Sequence, residues 1–131
     1  MDGGASESSR VVLEEKYFRG LDKFDNTEET WSGWIFNVIT QVAGAKVEIA
    51  TVMERVMEKG VALTKDAVEG VNPDVVRRYG GELFRVLAGL TSGEANTIVR
   101  GVATKKGMSG RQNGFWALKL LEHRFNPKTT A

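Results

Sequence analysis

The sequence predicts an all-helical fold, a compact bundle of four to five amphipathic helices. Apolar residues recur three and four positions apart through most of the chain, as on one face of a helix. Helix-start signals precede several of these stretches, and no segment shows a persuasive strand pattern. At 131 residues, 41% of them hydrophobic, the chain is long enough for one domain and too short for two comfortable ones.

The N-terminal part of the chain has the weakest pattern. Residues 1–10 are small and polar, and they bury too little surface to order themselves. Over residues 11–24 apolar and charged residues mix without a helical or strand period, which predicts a short helix or an extended arm. We therefore expect a flexible tail or arm over residues 1–16 and a helical domain over residues 17–127.

The first clear helix is expected to begin with Asn26 as its N-cap, with Glu29 completing a capping box. Gly44 is expected to end this helix, and a second helix is expected to run from about Val47 to Gly60, where a glycine is the usual stop. The apolar stripe of the first helix is Trp31, Trp34, Ile35, Val38 and Val42, and that of the second is Val47, Ile49, Ala50, Val52, Met53, Val56 and Met57. Both stripes are interpreted as core.

A loop with one helical turn is predicted for residues 60–72. The next helix has a clear start signal, with Asn72 as cap, Pro73 at the first helical position and Asp74 in the first turn. Its inward residues are expected to be Val76, Tyr79, Leu83, Leu87 and Leu90. The Gly80-Gly81 pair inside it predicts a kink or the close packing of another helix.

Two further helices are predicted in the last third of the chain. Thr91 and Glu94 form a second capping box, and Ala95, Ile98, Val99 and Val102 supply the buried side of the helix that follows. Residues 104–114 are expected to form a mobile basic loop. The last helix is expected to run from about Asn113 to Phe125, because the proline after Asn126 disfavours helical geometry. The predicted core contains Trp34, Val38, Val56, Leu83, Leu87, Ile98, Leu121 and Phe125.

The composition excludes several kinds of functional site. The chain has no cysteine, so disulfides, thiolate nucleophiles and cysteine-based zinc sites are ruled out. Its one histidine, His123, has no recognisable nucleophile around it, and a histidine-rich metal centre is excluded. We therefore expect no enzyme activity, cofactor, metal or small-molecule substrate. No apolar run approaches the length of a membrane span, and the start of the chain lacks signal-peptide and myristoylation patterns, which predicts a cytoplasmic protein.

Charge is unevenly distributed along the chain. Residues 1–75 hold 8 Lys and Arg against 14 Asp and Glu, whereas residues 76–131 hold 10 against 3. One explanation is a solvated surface, and another is head-to-tail attraction between identical subunits. The basic residues expected to make such contacts are Arg77, Arg78, Arg85, Lys105 and Lys106. RNA contact through Lys105, Lys106 and Arg111 is a third explanation, because cations bind phosphates.

Two segments of the chain carry a family resemblance. The first is YFRGLDKF over residues 17–24 with WSGW over residues 31–34. The second is LTSGEA over residues 90–95, then a glycine-rich basic loop and ALKLLEHRFNP over residues 117–127, where Leu118, Leu121 and Phe125 have i, i+3, i+7 spacing. From about Tyr17 to Pro127 the chain resembles the N-terminal capsid lobe of the Gag polyproteins of LTR retrotransposons, especially those of the copia type.

The resemblance implies a structural function. A bundle similar to the retroviral capsid N-terminal lobe would self-associate into a cytoplasmic virus-like particle that encloses the element's RNA. Family capsids pair this lobe with a second helical lobe and often a zinc knuckle, so residues 128–131 would be a tail that leads to downstream Gag regions. RNA would be bound mainly by those regions, and no membrane is implied.

Alternatives to this interpretation remain at both the functional and the structural level. The chain is also compatible with a domesticated Gag-derived protein, an unrelated helical adaptor that binds a partner peptide in a groove, or a small helical nucleic-acid-binding domain. In the last helix, related elements often have tryptophan where this chain has Leu118, and Trp116 lies two residues earlier. Either residue is a candidate for the core, and the two choices differ by a helix rotation of about 160°.

Overall fold

The computed structural model describes residues 10–103 and 112–127, and its regular elements in these ranges are all helical. A 3-10 helix, Glu15–Tyr17, precedes six α-helices. They are α1 Glu28–Ala45, α2 Val47–Val56, α3 Lys65–Val71, α4 Pro73–Gly89, α5 Gly93–Gly101 and α6 Gly114–Phe125. The predicted all-α class is therefore confirmed. Helix α6 packs against α2, α3, α4 and α5, which makes it the centre of the bundle.

Helix α1 begins one residue later than the predicted capping box required. Thr27 occupies the N-cap position, and Asn26 lies in the left-handed region with φ 68°. The carboxylate of Asp25 binds the start of α1 instead. It accepts a hydrogen bond from the Thr27 amide at 3.1 Å, and the hydroxyls of Thr27 and Thr30 donate to it at 2.9 and 2.5 Å. These bonds hold the pKa of Asp25 below its ordinary value, the bond from Thr30 having the largest effect.

The break between α1 and α2 lies at Lys46 rather than at Gly44. The helix continues through Gly44 to Ala45, and Lys46 then has extended geometry with φ −161°. A glycine inside a helix costs only about 1 kcal/mol, which the packing of α1 on the bundle offsets. The expected core position of Val47 was also wrong, because this first residue of α2 is 66% exposed. Helix α2 ends at Val56, before Gly60.

Asn72 has the predicted capping role. Its Oδ1 accepts a hydrogen bond from the Val75 amide at 3.2 Å, and Pro73 is the first residue of α4. Before it, the structure has a whole short helix, α3, where one helical turn in a loop was expected. Thr64 caps α3 by accepting from the Ala67 amide at 3.1 Å.

The second predicted capping box was wrong, because its residues make other contacts. Thr91 is buried and donates to the Leu87 carbonyl at 2.8 Å, while Glu94 binds Arg124 at 2.6 Å. The N-terminus of α5 is instead capped from a distant part of the chain. Asn26 Oδ1 accepts from the Ala95 amide at 2.8 Å, and Asn26 Nδ2 donates to the Ser92 carbonyl at 3.0 Å.

Helix α6 settles the register that the sequence left open. Leu118 is fully buried, whereas Trp116 is half-buried. Asn113 caps the helix by accepting from the Phe115 and Trp116 amides at 2.9 and 3.1 Å. The start of α6 lies directly against α4, and a Cβ built at Gly114 would stand 2.6 Å from the Leu83 carbonyl carbon. Close helix packing, predicted from glycines in α4, is therefore observed, and it involves a glycine of α6.

The predicted core residues are buried with two exceptions. Side chains with no exposed surface are Val38, Val56, Leu83, Leu87, Leu121 and Phe125, whereas Trp34 and Ile98 are half-buried. Phe24 joins this core, with its ring centroid 4.8 Å from that of Phe125 and 5.5 Å from that of Trp31. Upstream, the arm reaches the bundle, because Leu13 is buried and its amide donates to Glu82 at 2.8 Å.

Candidate binding surfaces

Helix α1 presents an exposed face without charge, which we call the neutral face. From residue 30 to residue 45 the chain has no Asp, Glu, Lys, Arg or His, although 27% of all residues are charged. The exposed residues of this part of α1 include Ser32, Gly33, Phe36, Asn37, Thr40 and Gly44. The apolar stripe on the opposite side of the helix is buried in the core. Folding does not require the exposed side to lack charge, so the neutral face needs another explanation.

Phe36 is the central residue of the neutral face. Its side chain is 67% exposed, the highest exposure among the large hydrophobic residues of the described part of the chain. Its neighbours on this face are uncharged. Gly33 has open space beside it, since a Cβ added there would have no atom within 4 Å. The Thr40 hydroxyl donates to the Phe36 carbonyl at 2.8 Å, so little polarity is left there. The face therefore carries one exposed aromatic ring among uncharged side chains.

A second surface is a groove of about 1220 Å³ between α3, α4, α5 and α6, which we call the arginine groove. Half-buried apolar side chains form its floor, namely Ile98, Val102, Trp116 and Leu120. Ile98 was expected in the core, and its position here explains its remaining exposure. The rim carries four basic residues, Lys65, Arg77, Arg78 and Arg85.

The arginines of the groove differ in whether they already interact with other side chains. Arg77 pairs with Asp74 at 3.0 Å. The Arg78 guanidinium lies 6.0 Å from the centroid of the Tyr79 ring, and the pKa of Arg78 is raised by its interactions with the Tyr79 side chain and with Asp74. Arg85 is exposed and has no ion pair in the described part of the chain. A ligand would therefore meet Lys65 and Arg85 as exposed cations that no ion pair engages in the described part of the chain.

Two carboxylates also line the arginine groove, and each has a hydrogen-bond donor. Glu82 Oε1 accepts from the Val12 and Leu13 amides at 2.9 and 2.8 Å, which fastens the arm to α4. Glu69 Oε2 accepts from Asn113 Nδ2 at 3.3 Å. The four basic residues therefore outnumber two acidic residues that already have partners, and the groove favours an anionic ligand.

The structure brings together some of the residues that the sequence singled out. Arg77, Arg78 and Arg85, expected in self-association, line one groove. Lys105, Lys106 and Arg111, expected in self-association or RNA contact, lie outside the described residues. The neutral face was not predicted, although the uncharged run from residue 30 to residue 45 was a visible signal for it.

Other polar clusters have a structural explanation. Lys119 is buried, and its Nζ donates to the Glu58 carbonyl at 3.1 Å, which ties α6 to the end of α2. Arg124 binds Glu94 at 2.6 and 3.0 Å and so joins α6 to α5. His123 is exposed.

Within residues 10–103 and 112–127 there is no group of three or more His, Cys, Asp or Glu side chains that could hold a metal ion. None of the helices described is both long and apolar enough to span a bilayer.

Comparison with known proteins found no relative of this chain. The chain matches no family model, no curated protein and no solved structure.

Proposed function

We propose that this chain is a structural domain of the Gag capsid type, which self-associates in the cytoplasm to form the shell around a retrotransposon's RNA. The proposal rests on the resemblance of residues 17–34 and 90–127 and on the all-helical architecture. The single observation that carries it is the neutral face, with Phe36 67% exposed at its centre. In this proposal the chain acts as a building block and catalyses no reaction.

The neutral face suits a contact between identical copies. When two copies meet across a two-fold axis, the same patch lies on both sides of the contact, so a charge near the axis meets a like charge. Like charges placed opposite each other cost several kcal/mol at an interface. A face without charged residues escapes this penalty. Depletion of charge and enrichment of aromatic residues are also the composition found at the centres of protein interfaces.

The dimensions of α1 indicate a weak contact. A helix of 18 residues is about 27 Å long, and a strip about 10 Å wide along it covers roughly 270 Å². A stable interface usually buries about 800 Å² on each partner. Contact through the neutral face alone should therefore be transient. Such contacts become effective when several are made at once, as in a closed shell.

Sedimentation velocity of the purified chain at rising concentration tests this proposal. The parent chain should show a weight-average sedimentation coefficient that increases with concentration. Phe36→Ser should weaken the association by about tenfold or more, because a buried aromatic ring is worth about 1.5 to 3 kcal/mol in an interface. The helical content and melting temperature of the variant should match those of the parent, since Phe36 makes little contact with the core.

Leu63→Ser is the matched control. Leu63 is also exposed, at 42%, but lies in the connection between α2 and α3. Its substitution should leave self-association unchanged. Equal association of the parent chain and Phe36→Ser, or a parent chain that stays monomeric at all accessible concentrations, would refute the proposal.

A further inference from the structure

We infer that the arginine groove is a docking site for an acidic peptide segment of another protein, one whose leucine-like or aromatic side chains alternate with glutamate or aspartate. The site is separate from the neutral face, and the inference does not depend on self-association. It differs from the sequence-based prediction, in which the same arginines contact a neighbouring copy. Each part of the groove specifies one part of this ligand.

The floor of the groove specifies apolar anchors. The floor is formed by Ile98 of α5 and Val102 just after it, together with Trp116 and Leu120 of α6. All four side chains are only half-buried. Completing the burial of such side chains releases about 25 cal/mol for each Å² of apolar surface removed from water. Trp116 is a rigid aromatic side chain, the type most enriched among residues that dominate binding. A ligand therefore needs apolar side chains spaced to reach this floor.

The rim of the groove specifies acidic groups. Arg78 and Arg85 are seven residues apart on α4, so they lie on the same side of the helix about 10.5 Å apart. The Arg85 guanidinium has no ion pair in the part of the chain that the structure describes. Arginine favours carboxylates because its planar fork can donate two parallel hydrogen bonds. Two acidic residues two turns apart on a helical ligand, or three apart on an extended one, would match this spacing.

The same features favour a peptide over a nucleic acid. Glu69 and Glu82 also line the groove, and they would repel a continuous phosphate backbone. A peptide can direct its acidic residues to the arginines and present neutral residues to these carboxylates. An aliphatic floor containing Ile98 and Leu120 also offers no stacking surface to bases beyond the one ring of Trp116.

Titration of the isotope-labelled full chain, followed by nuclear magnetic resonance, tests the inference. The probe is a 14-residue synthetic peptide with leucine at i, i+3, i+4 and i+7, glutamate at two positions seven residues apart, and glutamine elsewhere. Three comparison probes are the same peptide with lysine for glutamate, the same peptide with serine for leucine, and a single-stranded oligouridylate of 12 nucleotides. The leucine–glutamate peptide should shift the indole N–H signal of Trp116 and the amide signals of Ile98 and Leu120. The comparison probes should bind at least about tenfold more weakly, a difference of 1.4 kcal/mol.

Charge reversal identifies the rim. Arg78→Glu combined with Arg85→Glu should weaken binding of the leucine–glutamate peptide by about tenfold or more, because the reversal replaces two attractions with like-charge repulsion. The matched control, Arg55→Glu combined with Lys59→Glu, reverses two exposed cations outside the groove and should leave affinity within about twofold. Circular dichroism of both variants checks that they fold.

Four outcomes would overturn the inference. They are absence of binding by the leucine–glutamate peptide at 1 mM, binding that shifts signals outside the groove, equal or tighter binding of the oligouridylate, and unchanged affinity in the rim variant. Loss of self-association in the rim variant without loss of peptide affinity would assign the arginines to contacts between copies. Failure of self-association in the parent chain leaves this test unaffected, so the two proposals are judged separately.

Discussion

At the scale of single residues, Asn26 shows most clearly that a local sequence pattern does not reveal contacts with distant parts of the chain. Its position before Glu28 and Glu29 indicated an N-cap for α1. In the structure it has φ 68° and lies before the N-cap of α1, and its side chain binds the N-terminus of α5 instead. The partner amide, that of Ala95, lies 69 positions away. A pattern within one segment carries no information about such a contact.

We expect Asn26→Gly to lower the free energy of unfolding by about 1 kcal/mol, because it removes two hydrogen bonds at the start of α5 while keeping the backbone unstrained. Asn26→Ala should cost about 1 kcal/mol more, since alanine is disfavoured at positive φ. Chemical denaturation measures both. Asn37→Ala is the control, an exposed asparagine on α1 with no such contacts. An Asn26→Gly variant as stable as the parent chain would show that these bonds do not support α5.

At the scale of elements, the sequence predicted the helices that have local signals. Asn72-Pro73 marked the start of α4, and the proline at 127 marked the end of α6, because caps and proline act within one turn. Helix α3 was missed, since its apolar pattern covers two turns and only Val68 is buried. The end of α1 was placed too early because the cost of Gly44 is small compared with the packing of a long helix.

At the scale of elements, the contact between α4 and α6 can be tested by a single substitution. A Cβ at Gly114 would lie 2.6 Å from the Leu83 carbonyl carbon and against the Phe84 amide nitrogen, so the two helices would have to separate. Gly114→Ala should therefore lower the free energy of unfolding by about 1 to 3 kcal/mol.

Gly81→Ala is the matched control for this contact. Gly81 lies inside α4, and no atom stands within 4 Å of a Cβ added there. This substitution should raise stability by about 0.5 to 1 kcal/mol, because alanine is the better helix former. Thermal unfolding of both variants gives the comparison. Equal effects of the two substitutions would contradict the close packing at Gly114.

At the scale of the whole molecule, the surfaces were harder to predict than the core. Six of the eight expected core residues are fully buried, because apolar spacing reports which side of a helix faces inward. The arginine groove requires four helices from different parts of the chain, so the positions of Ile98 and Trp116 on its floor could not be read from one segment. The neutral face was overlooked because Phe36 lies beside an apolar stripe that was interpreted as core throughout.

Cysteine cross-linking tests the central claim, that copies of this chain meet through α1, most directly. The natural chain has no cysteine, so Asn37→Cys introduces a single thiol beside Phe36. In a two-fold contact centred on Phe36, the two copies of this position lie close to the axis and to each other, and a disulfide needs about 4.4 to 6.8 Å between their Cα atoms. Mild oxidation should then give a covalent dimer much faster than it does for Lys59→Cys, an exposed position in the connection between α2 and α3. Equal rates for the two variants would contradict the account.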